Sequence, residues 1–231
     1  MRKSLLANTM AALLVFTGAA QAALHDRGGG LIYDDVLNVT WLQDASYART
    51  SGYDADGAMT PGEANYWADN LSYYDSVRNV TYDDWRLPAM PRNYIAGTTY
   101  AYDGSAETGF NITSTDSPLA FMFYVNLGNS GVRTNTGALT GCGASCLANT
   151  GPFINVLPNF YHYYRADYGN PTLTWVFHMG AGEQLTKSSS WPAQAWAVRN
   201  GDVAAVPEPE TWALLLAGLG ILTGVARRRA A

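Results

Sequence analysis

The sequence has few cysteines and few basic residues, and each shortage excludes a class of protein. Two cysteines in 231 residues are too few for a disulfide-dense scaffold or a four-cysteine zinc site. Setting aside five basic and two acidic residues in the terminal segments leaves nine basic residues against 17 acidic ones, a net charge near −8. Such a surface repels phosphate backbones, so we expect no nucleic-acid partner.

Catalytic motifs are also missing from the sequence. It contains no Gly-x-Ser-x-Gly nucleophile elbow and no His-Glu-x-x-His zinc helix. The three histidines, His25, His162 and His178, lie far apart along the chain. Adjacent acids such as Asp34 and Asp35 point to opposite faces of a strand, which makes them poor partners for acid–base work. We therefore expect no enzymatic activity, no catalytic residue and no cofactor.

The apolar run near the C-terminus is too short for an ordinary membrane span. Trp212 to Ala226 is uncharged but has 15 residues, about five fewer than a spanning helix usually needs. A Pro-Glu-Pro segment precedes this run, and three arginines follow it. The arginines would stay on the cytoplasmic side and halt translocation. These six flanking residues are Pro207, Glu208, Pro209, Arg227, Arg228 and Arg229.

The three parts in this order resemble the PEP-CTERM sorting signal. The resemblance implies recognition by an exosortase in the bacterial inner membrane. The alternative is an ordinary tail anchor, which the short span disfavours. If the resemblance holds, the C-terminal helix tethers the protein to the inner membrane only transiently.

The N-terminus has the pattern of a secretory signal peptide. Basic residues Arg2 and Lys3 precede an apolar stretch from Leu5 to Ala20. Small residues Ala20 and Ala22 form a site for signal peptidase, so the mature chain is expected to begin at Ala23. We therefore predict a signal peptide at 1–22, one domain at 23–205 and a sorting segment at 206–231, in a protein exported to the surface or extracellular matrix of a Gram-negative bacterium.

One helix is clear in the domain, and the remainder favours strands and long loops. Thr60 can cap the helix, Pro61 suits its first position and Glu63 can complete a capping box. Four apolar residues then share one face: Ala64, Trp67, Ala68 and Leu71.

Four strands are predicted, and no internal repeat is evident. Two lie at Leu31–Tyr33 and Val39–Leu42, joined as a hairpin in which Asn38 adopts a left-handed conformation. Two more lie at 174–177 and 195–198, with a turn at Gly180–Gly182 after the first. The stretch from 128 to 151 is interpreted as an irregular loop.

Several segments in order resemble the Lcl C-terminal-like domain, named for a bacterial collagen-like adhesin. They are GLIYD at 30–34, WLQDA at 41–45, DGAMT at 56–60, DWRLP at 84–88, WVF at 175–177 and AWAVR at 195–199. The resemblance implies a single α+β domain of C-type-lectin-like fold, similar also to formylglycine-generating enzymes, whose terminal strands meet in one mixed or antiparallel sheet. The motif residues it marks as structural are Trp41, Thr60, Trp67, Trp85, Arg86, Leu87, Pro88, Trp196 and Arg199. The sequence departs from the family at 89–93, where a proline disfavours a second helix, and at 161–164.

Arg86 and the two cysteines allow more than one interpretation. Arg86 lies between large apolar residues, which favours a structural lock onto a carboxylate or loop carbonyls, with ligand binding as the alternative. Cys142 and Cys146 favour a local disulfide in an oxidising compartment, with a redox pair or a metal site as alternatives. Asp54 and Asp56 resemble the opening of a calcium loop, but Gly57 follows too early, so a turn before Thr60 is the stronger interpretation.

Aromatic residues crowd the middle of the domain: Tyr94, Tyr100, Tyr102, Phe110, Tyr161, Tyr163, Tyr164 and Tyr168. Tyrosine rings suit stacking on sugars or contact with another protein, although alternate members can equally fill the core. The sequence therefore predicts a non-enzymatic protein that binds exopolysaccharide or another surface protein in a biofilm. The alternatives are a self-associating structural matrix protein and, more weakly, a hydrolase acting on exopolysaccharide.

Overall fold

Eleven short strands and three short helical segments make up the part of the chain that the computed structural model describes, residues 24–90, 99–143, 145–165 and 172–203. The strands are β1 Leu24–Asp26, β2 Leu31–Asp34, β3 Val39–Leu42, β4 Tyr73–Asp75, β5 Val80–Tyr82, β6 Tyr100–Ala101, β7 Thr108–Gly109, β8 Tyr161–Tyr163, β9 Leu173–His178, β10 Glu183–Ser188 and β11 Val198–Asn200. The helical segments are α1 Tyr47–Thr50, α2 Pro61–Asp69 and α3 Pro118–Phe121, which continues as a π-helical turn, Met122–Asn126.

The strands form two larger sheets and one hairpin. The first sheet has the order β1-β2-β3-β11 and is antiparallel throughout, so the first and last strands of the described residues share it. The second sheet has the order β6-β7-β10-β9-β8, in which only the β6–β7 pair is parallel. Strands β4 and β5 pair with each other. This mixed architecture, mostly sheet with few helices, agrees with the predicted α+β class.

Two apolar clusters fill the space around the sheets. Because side chains alternate across a strand, consecutive residues enter different clusters: Ile32 and Phe177 lie in one, and Leu31 and Val176 lie in the other. The first cluster contains Trp41 and Trp196, with ring centroids 4.9 Å apart in an edge-to-face arrangement. The second contains the buried face of α2.

The capping box predicted for α2 is present. The Thr60 hydroxyl accepts a hydrogen bond from the Glu63 N–H at 3.4 Å, and the Glu63 carboxylate accepts one from the Thr60 N–H at 2.8 Å. Ala64 and Trp67 are buried on the face toward the core. The helix ends at Asp69, so Leu71 lies beyond it but still packs in the second cluster.

Two of the predicted elements need correction. The sequence indicated one clear helix, yet residues 118–126 form a second helical stretch. Residues 119–123 are all buried, and without a polar face the segment has no amphipathic period to detect. The predicted strand at 195–198 begins only at Val198, although the Ala197 carbonyl already accepts a hydrogen bond from the Leu42 N–H at 3.1 Å.

An internal repeat exists, contrary to the expectation from the sequence. Residues 33–40, YDDVLNVT, and 74–81, YDSVRNVT, agree at six of eight positions and form hairpins with the same contacts. In each, the aspartate Oδ1 accepts hydrogen bonds from the N–H groups two and three residues later. In each, the tyrosine hydroxyl donates to a left-handed asparagine, with φ of 51° at Asn38 and 54° at Asn79.

The two hairpins differ at the second oxygen of the buried aspartate. Asp34 Oδ2 accepts a hydrogen bond from the Asn126 amide at 2.5 Å. Asp75 Oδ2 instead forms an ion pair with Arg78 at 2.6 Å, and both of those side chains are nearly inaccessible to solvent. Burial raises the pKa of Asp34, and no ion pair with a described residue offsets the desolvation. The same backbone unit is therefore stabilised by a neutral partner in one copy and by a charged partner in the other.

Candidate binding face

A row of ring-bearing and charged side chains crosses one face of the second sheet. Tyr161 on β8 is paired with His178 on β9, which is paired with Glu183 on β10, so the three side chains share a face. Tyr100 on β6 reaches the same face, because its hydroxyl donates a hydrogen bond to Glu183 Oε1 at 2.9 Å. Four inter-strand spacings of about 4.8 Å give the row a length of about 19 Å.

Trp191 extends this row beyond β8, and the buried core fixes its backbone. The Trp191 N–H donates to the Ser188 carbonyl at 2.8 Å, which closes a turn after β10. The Trp191 carbonyl lies against the hydroxyl of the fully buried Tyr163, which is also 3.0 Å from the Met59 carbonyl. The indole itself is 48% exposed. A large apolar ring is thus presented to solvent on a tethered turn.

Lys187 lies between the two rings at this end of the row. Its Nζ is 4.8 Å from the ring centroid of Tyr161 and 5.1 Å from that of Trp191. The two rings are 6.5 Å apart and nearly perpendicular. Each cation–π contact at an exposed site contributes about 0.5–1 kcal/mol, so the ammonium helps to orient both rings. We call the set Tyr100, Tyr161, His178, Glu183, Lys187 and Trp191 the aromatic strip.

Two members of the aromatic strip, His178 and Tyr100, have shifted pKa values. Burial lowers the pKa of His178, and its Nδ1 accepts a hydrogen bond from the Ala181 N–H at 3.0 Å, which places the proton on Nε2. Burial, together with the hydrogen bond to Glu183, raises the pKa of Tyr100 well above its usual range. One glutamate and one lysine lie beside the rings. The strip therefore offers stacking faces, hydrogen-bond donors and acceptors, and one acidic and one basic side chain.

The other predicted aromatics divide between core and surface. Tyr163, Tyr164 and Phe110 are buried, as the core interpretation requires. Tyr102 is exposed and stacks on Phe110 at 6.0 Å, next to Tyr100 at 5.5 Å. The predictions for Tyr94 and Tyr168 lie outside the described residues.

The residues around position 86 link the 84–88 segment to strand β11. Trp85, Leu87 and Pro88 are buried. The Arg86 guanidinium donates to the Leu87 carbonyl at 3.1 Å and to Asn200 Oδ1 at 2.6 Å, and therefore binds neutral oxygens. Arg199 forms a two-pronged ion pair with Asp84 at 2.8 and 3.0 Å, which lowers the pKa of that carboxyl.

The other predicted site residues have local roles. Cys142 and Cys146 form a disulfide whose Cα atoms are 5.1 Å apart. Asp54 accepts hydrogen bonds from the N–H groups of Asp56 and Gly57, so its carboxylate closes the turn before α2. Within the described ranges, no group of three or more His, Cys, Asp or Glu side chains is arranged to hold a metal ion.

Three members of the aromatic strip, Glu183, Lys187 and Trp191, were not predicted as candidate residues from the sequence. One signal could have found the last two. Lys187 is the only lysine outside the N-terminal segment, and a run of three serines separates it from Trp191. A lone cation close to an aromatic residue in a polar turn is the pattern of an exposed cation–π pair.

The fold is that of a sheet-rich α+β protein with an exposed aromatic strip. Comparison with protein families indicates where the protein is sorted, because residues 205–230 match the PEP-CTERM protein-sorting motif. The chain is thus an exported protein that is targeted to an exosortase and localised to the bacterial surface. No curated protein and no solved structure matches the chain.

The predicted membrane tether and cleavage sites cannot be placed on the fold. Residues 1–23 and 204–231, which contain the predicted signal peptide and the sorting motif, lie outside the described part of the chain. Within the described part, no helix is long and apolar enough to cross a bilayer.

Proposed function

We propose that this protein is a non-enzymatic component of the cell surface or extracellular matrix that binds exopolysaccharide through the aromatic strip. In this proposal residues 23–205 form an Lcl C-terminal-like domain of C-type-lectin-like fold, and the exosortase removes the tether after export. The single observation that carries the proposal is the half-exposed Trp191 ring, held beside Tyr161 and Lys187 at the end of a 19 Å row.

The chemistry of the strip suits a polysaccharide. Sugar rings present flat C–H faces, which pack on indole and phenol rings, and hydroxyls, which need donors and acceptors. The strip supplies both kinds of group from rigid elements, since five of its six members lie on paired strands and the Trp191 turn is tied to Tyr163. Rigid aromatic side chains lose little conformational entropy on binding, so even a weak contact with one sugar can form. Such contacts can repeat along a polymer.

The experiment measures binding of the full chain, with its disulfide oxidised, to exopolysaccharide from the producing bacterium. Trp191→Ala should weaken saturable binding by about tenfold, because stacking on one aromatic ring is worth roughly 1–1.5 kcal/mol. Tyr66→Ala is the matched control, since Tyr66 is 64% exposed on α2, away from the strip. Equal affinities in the two variants would contradict the assignment of binding to the strip.

Two further measurements separate the alternatives. A calcium chelator tests the Asp54 and Asp56 region, and the proposal predicts unchanged affinity because these carboxylates already accept backbone hydrogen bonds.

Sedimentation at rising protein concentration tests self-association. Oligomers without any polysaccharide binding would favour a structural matrix protein. Degradation of the polysaccharide by the purified chain would make it a hydrolase.

A further inference from the structure

A second concave surface lies at the edge of the first sheet, away from the aromatic strip. It is an open cleft of about 180 Å³ between β3, β11 and the start of α3. Its walls include Trp41, Arg86, Pro88, Pro118 and Val198, with the exposed Thr115 at its rim. This volume is below the roughly 300–1,000 Å³ of a pocket for a drug-sized ligand, so the cleft suits one small group or one sugar residue.

Arg86 brings a positive charge to this cleft without a carboxylate among the described residues to balance it. Four other arginines, Arg27, Arg78, Arg165 and Arg199, each form an ion pair with an aspartate. Arg86 donates only to two neutral oxygens, which use two of its five N–H donors. Burial lowers the pKa of Arg86, and the nearby charge of Arg165 lowers it further. An anion in the cleft would relieve both effects.

Trp41 lines the cleft, and its indole N–H is a second donor without a described partner, buried behind the wall. Its indole is fully buried, and Nε1 has no hydrogen-bond partner in the part of the chain that the structure describes. A buried donor without a partner costs roughly 1–3 kcal/mol, so such groups are rare in native structures. The Arg86 guanidinium, which forms no ion pair with a described residue, is therefore the donor that an acceptor entering the cleft would meet, and the Trp41 N–H lies buried behind the wall.

We propose that this cleft binds the carboxylate of a uronic acid residue. A planar carboxylate matches the fork of an arginine, whereas a phosphate would demand more donors than one arginine supplies. The ring that bears the carboxylate packs on the proline and valine side chains, and Thr115 faces its hydroxyls at the rim. The inference rests on the proposed function and extends it, because it names an acidic sugar as part of the polysaccharide.

The test is calorimetric titration of the full chain with three probes: glucuronate, which has ring and carboxylate, glucose, which has only the ring, and acetate, which has only the carboxylate. Glucuronate should bind at least tenfold more tightly than either of the others. Arg86→Gln should weaken glucuronate binding by about 10- to 100-fold, the range expected for loss of a charged hydrogen-bonded pair. Arg133→Gln is the control, because Arg133 donates to the Gly137 carbonyl outside the cleft.

A second readout does not depend on a variant that folds. In the wild-type chain the Trp41 indole N–H resonance, assigned by through-bond correlation experiments, should shift when glucuronate is added, because Trp41 lines the cleft. No glucuronate binding, or binding without a change at Trp41, would overturn the inference. If glucose bound as tightly as glucuronate, the cleft would not recognise the carboxylate. If acetate bound as tightly as glucuronate, the cleft would not recognise the sugar ring.

The two proposals fail in distinguishable ways. Trp191→Ala should leave glucuronate affinity within twofold of wild type, since Trp191 is not part of the cleft. Polysaccharide binding that depends on Trp191, with no glucuronate binding, would overturn only the uronic acid site. Glucuronate binding through Arg86 without any polysaccharide binding would overturn only the role of the aromatic strip.

Discussion

His162 should make the fold sensitive to acid. The side chain is fully buried on β8, between Phe177 and Trp196, and neither ring nitrogen has a hydrogen-bond partner among the described residues. Burial lowers its pKa from 6.5 to about 3, and the nearby His178 adds to the shift. The backbone of Phe160 opposes part of it without reaching hydrogen-bonding geometry.

The sign and size of the effect follow from linkage between protonation and folding. Below pH 6.5 the unfolded chain takes up a proton at this histidine, whereas the folded chain does not until pH falls to about 3. Stability is therefore lost as pH falls through this window, at up to about 1.4 kcal/mol per pH unit. Between pH 7.5 and 4.5 the loss is about 2.7 kcal/mol, a large part of the 5–15 kcal/mol typical of a domain.

The assay is urea unfolding at several pH values for wild type, His162→Phe and His162→Gln. Neither variant titrates at this position, so the contributions of other groups cancel in the difference from wild type. When the pH falls from 7.5 to 4.5, the unfolding free energy of wild type should drop by about 2.7 kcal/mol more than that of either variant. Parallel pH profiles in all three proteins would refute the argument.

Two more predictions concern buried polar contacts, each measured by urea unfolding at pH 7. Asp75→Asn should destabilise the fold by about 3–5 kcal/mol, because Arg78 loses its buried carboxylate. Asp34→Asn in the equivalent hairpin should cost less than about 1 kcal/mol, since the described partner of its second oxygen is the neutral Asn126 amide. Equal losses in the two variants would be inconsistent with this reasoning. Tyr164→Phe should cost about 1–3 kcal/mol because Gln184 Oε1 loses its donor, and an unchanged midpoint would show that the hydrogen bond contributes nothing.

Local sequence patterns predicted the elements that local physics determines. Helix α2 was found because its cap, its proline and its apolar face all appear within ten residues. The hairpin around Asn38 was found because its two strands and its turn asparagine are also close together in the sequence. The helical stretch at 118–126 was missed because its residues 119–123 are all buried, and burial on every side removes the amphipathic pattern.

The candidate sites depend on pairings that no local pattern contains. The aromatic strip exists because β6, β8, β9 and β10 bring Tyr100, Tyr161 and Glu183 onto one face from distant parts of the chain. The cleft likewise depends on contact between Arg86 and the edge strand at Val198, which brings the guanidinium into the same cleft as Trp41. The sequence identified Arg86 and the tyrosines as candidates, and their roles needed the sheet register.

The most direct test of the central claim is a titration of the ¹⁵N-labelled full chain with its exopolysaccharide, followed through the indole N–H resonances. Trp191, half exposed on the strip, should show a saturable change in its resonance, whereas Trp67, buried on α2, should not change. Saturable binding that leaves the Trp191 resonance unchanged would contradict the claim that the aromatic strip is the binding surface.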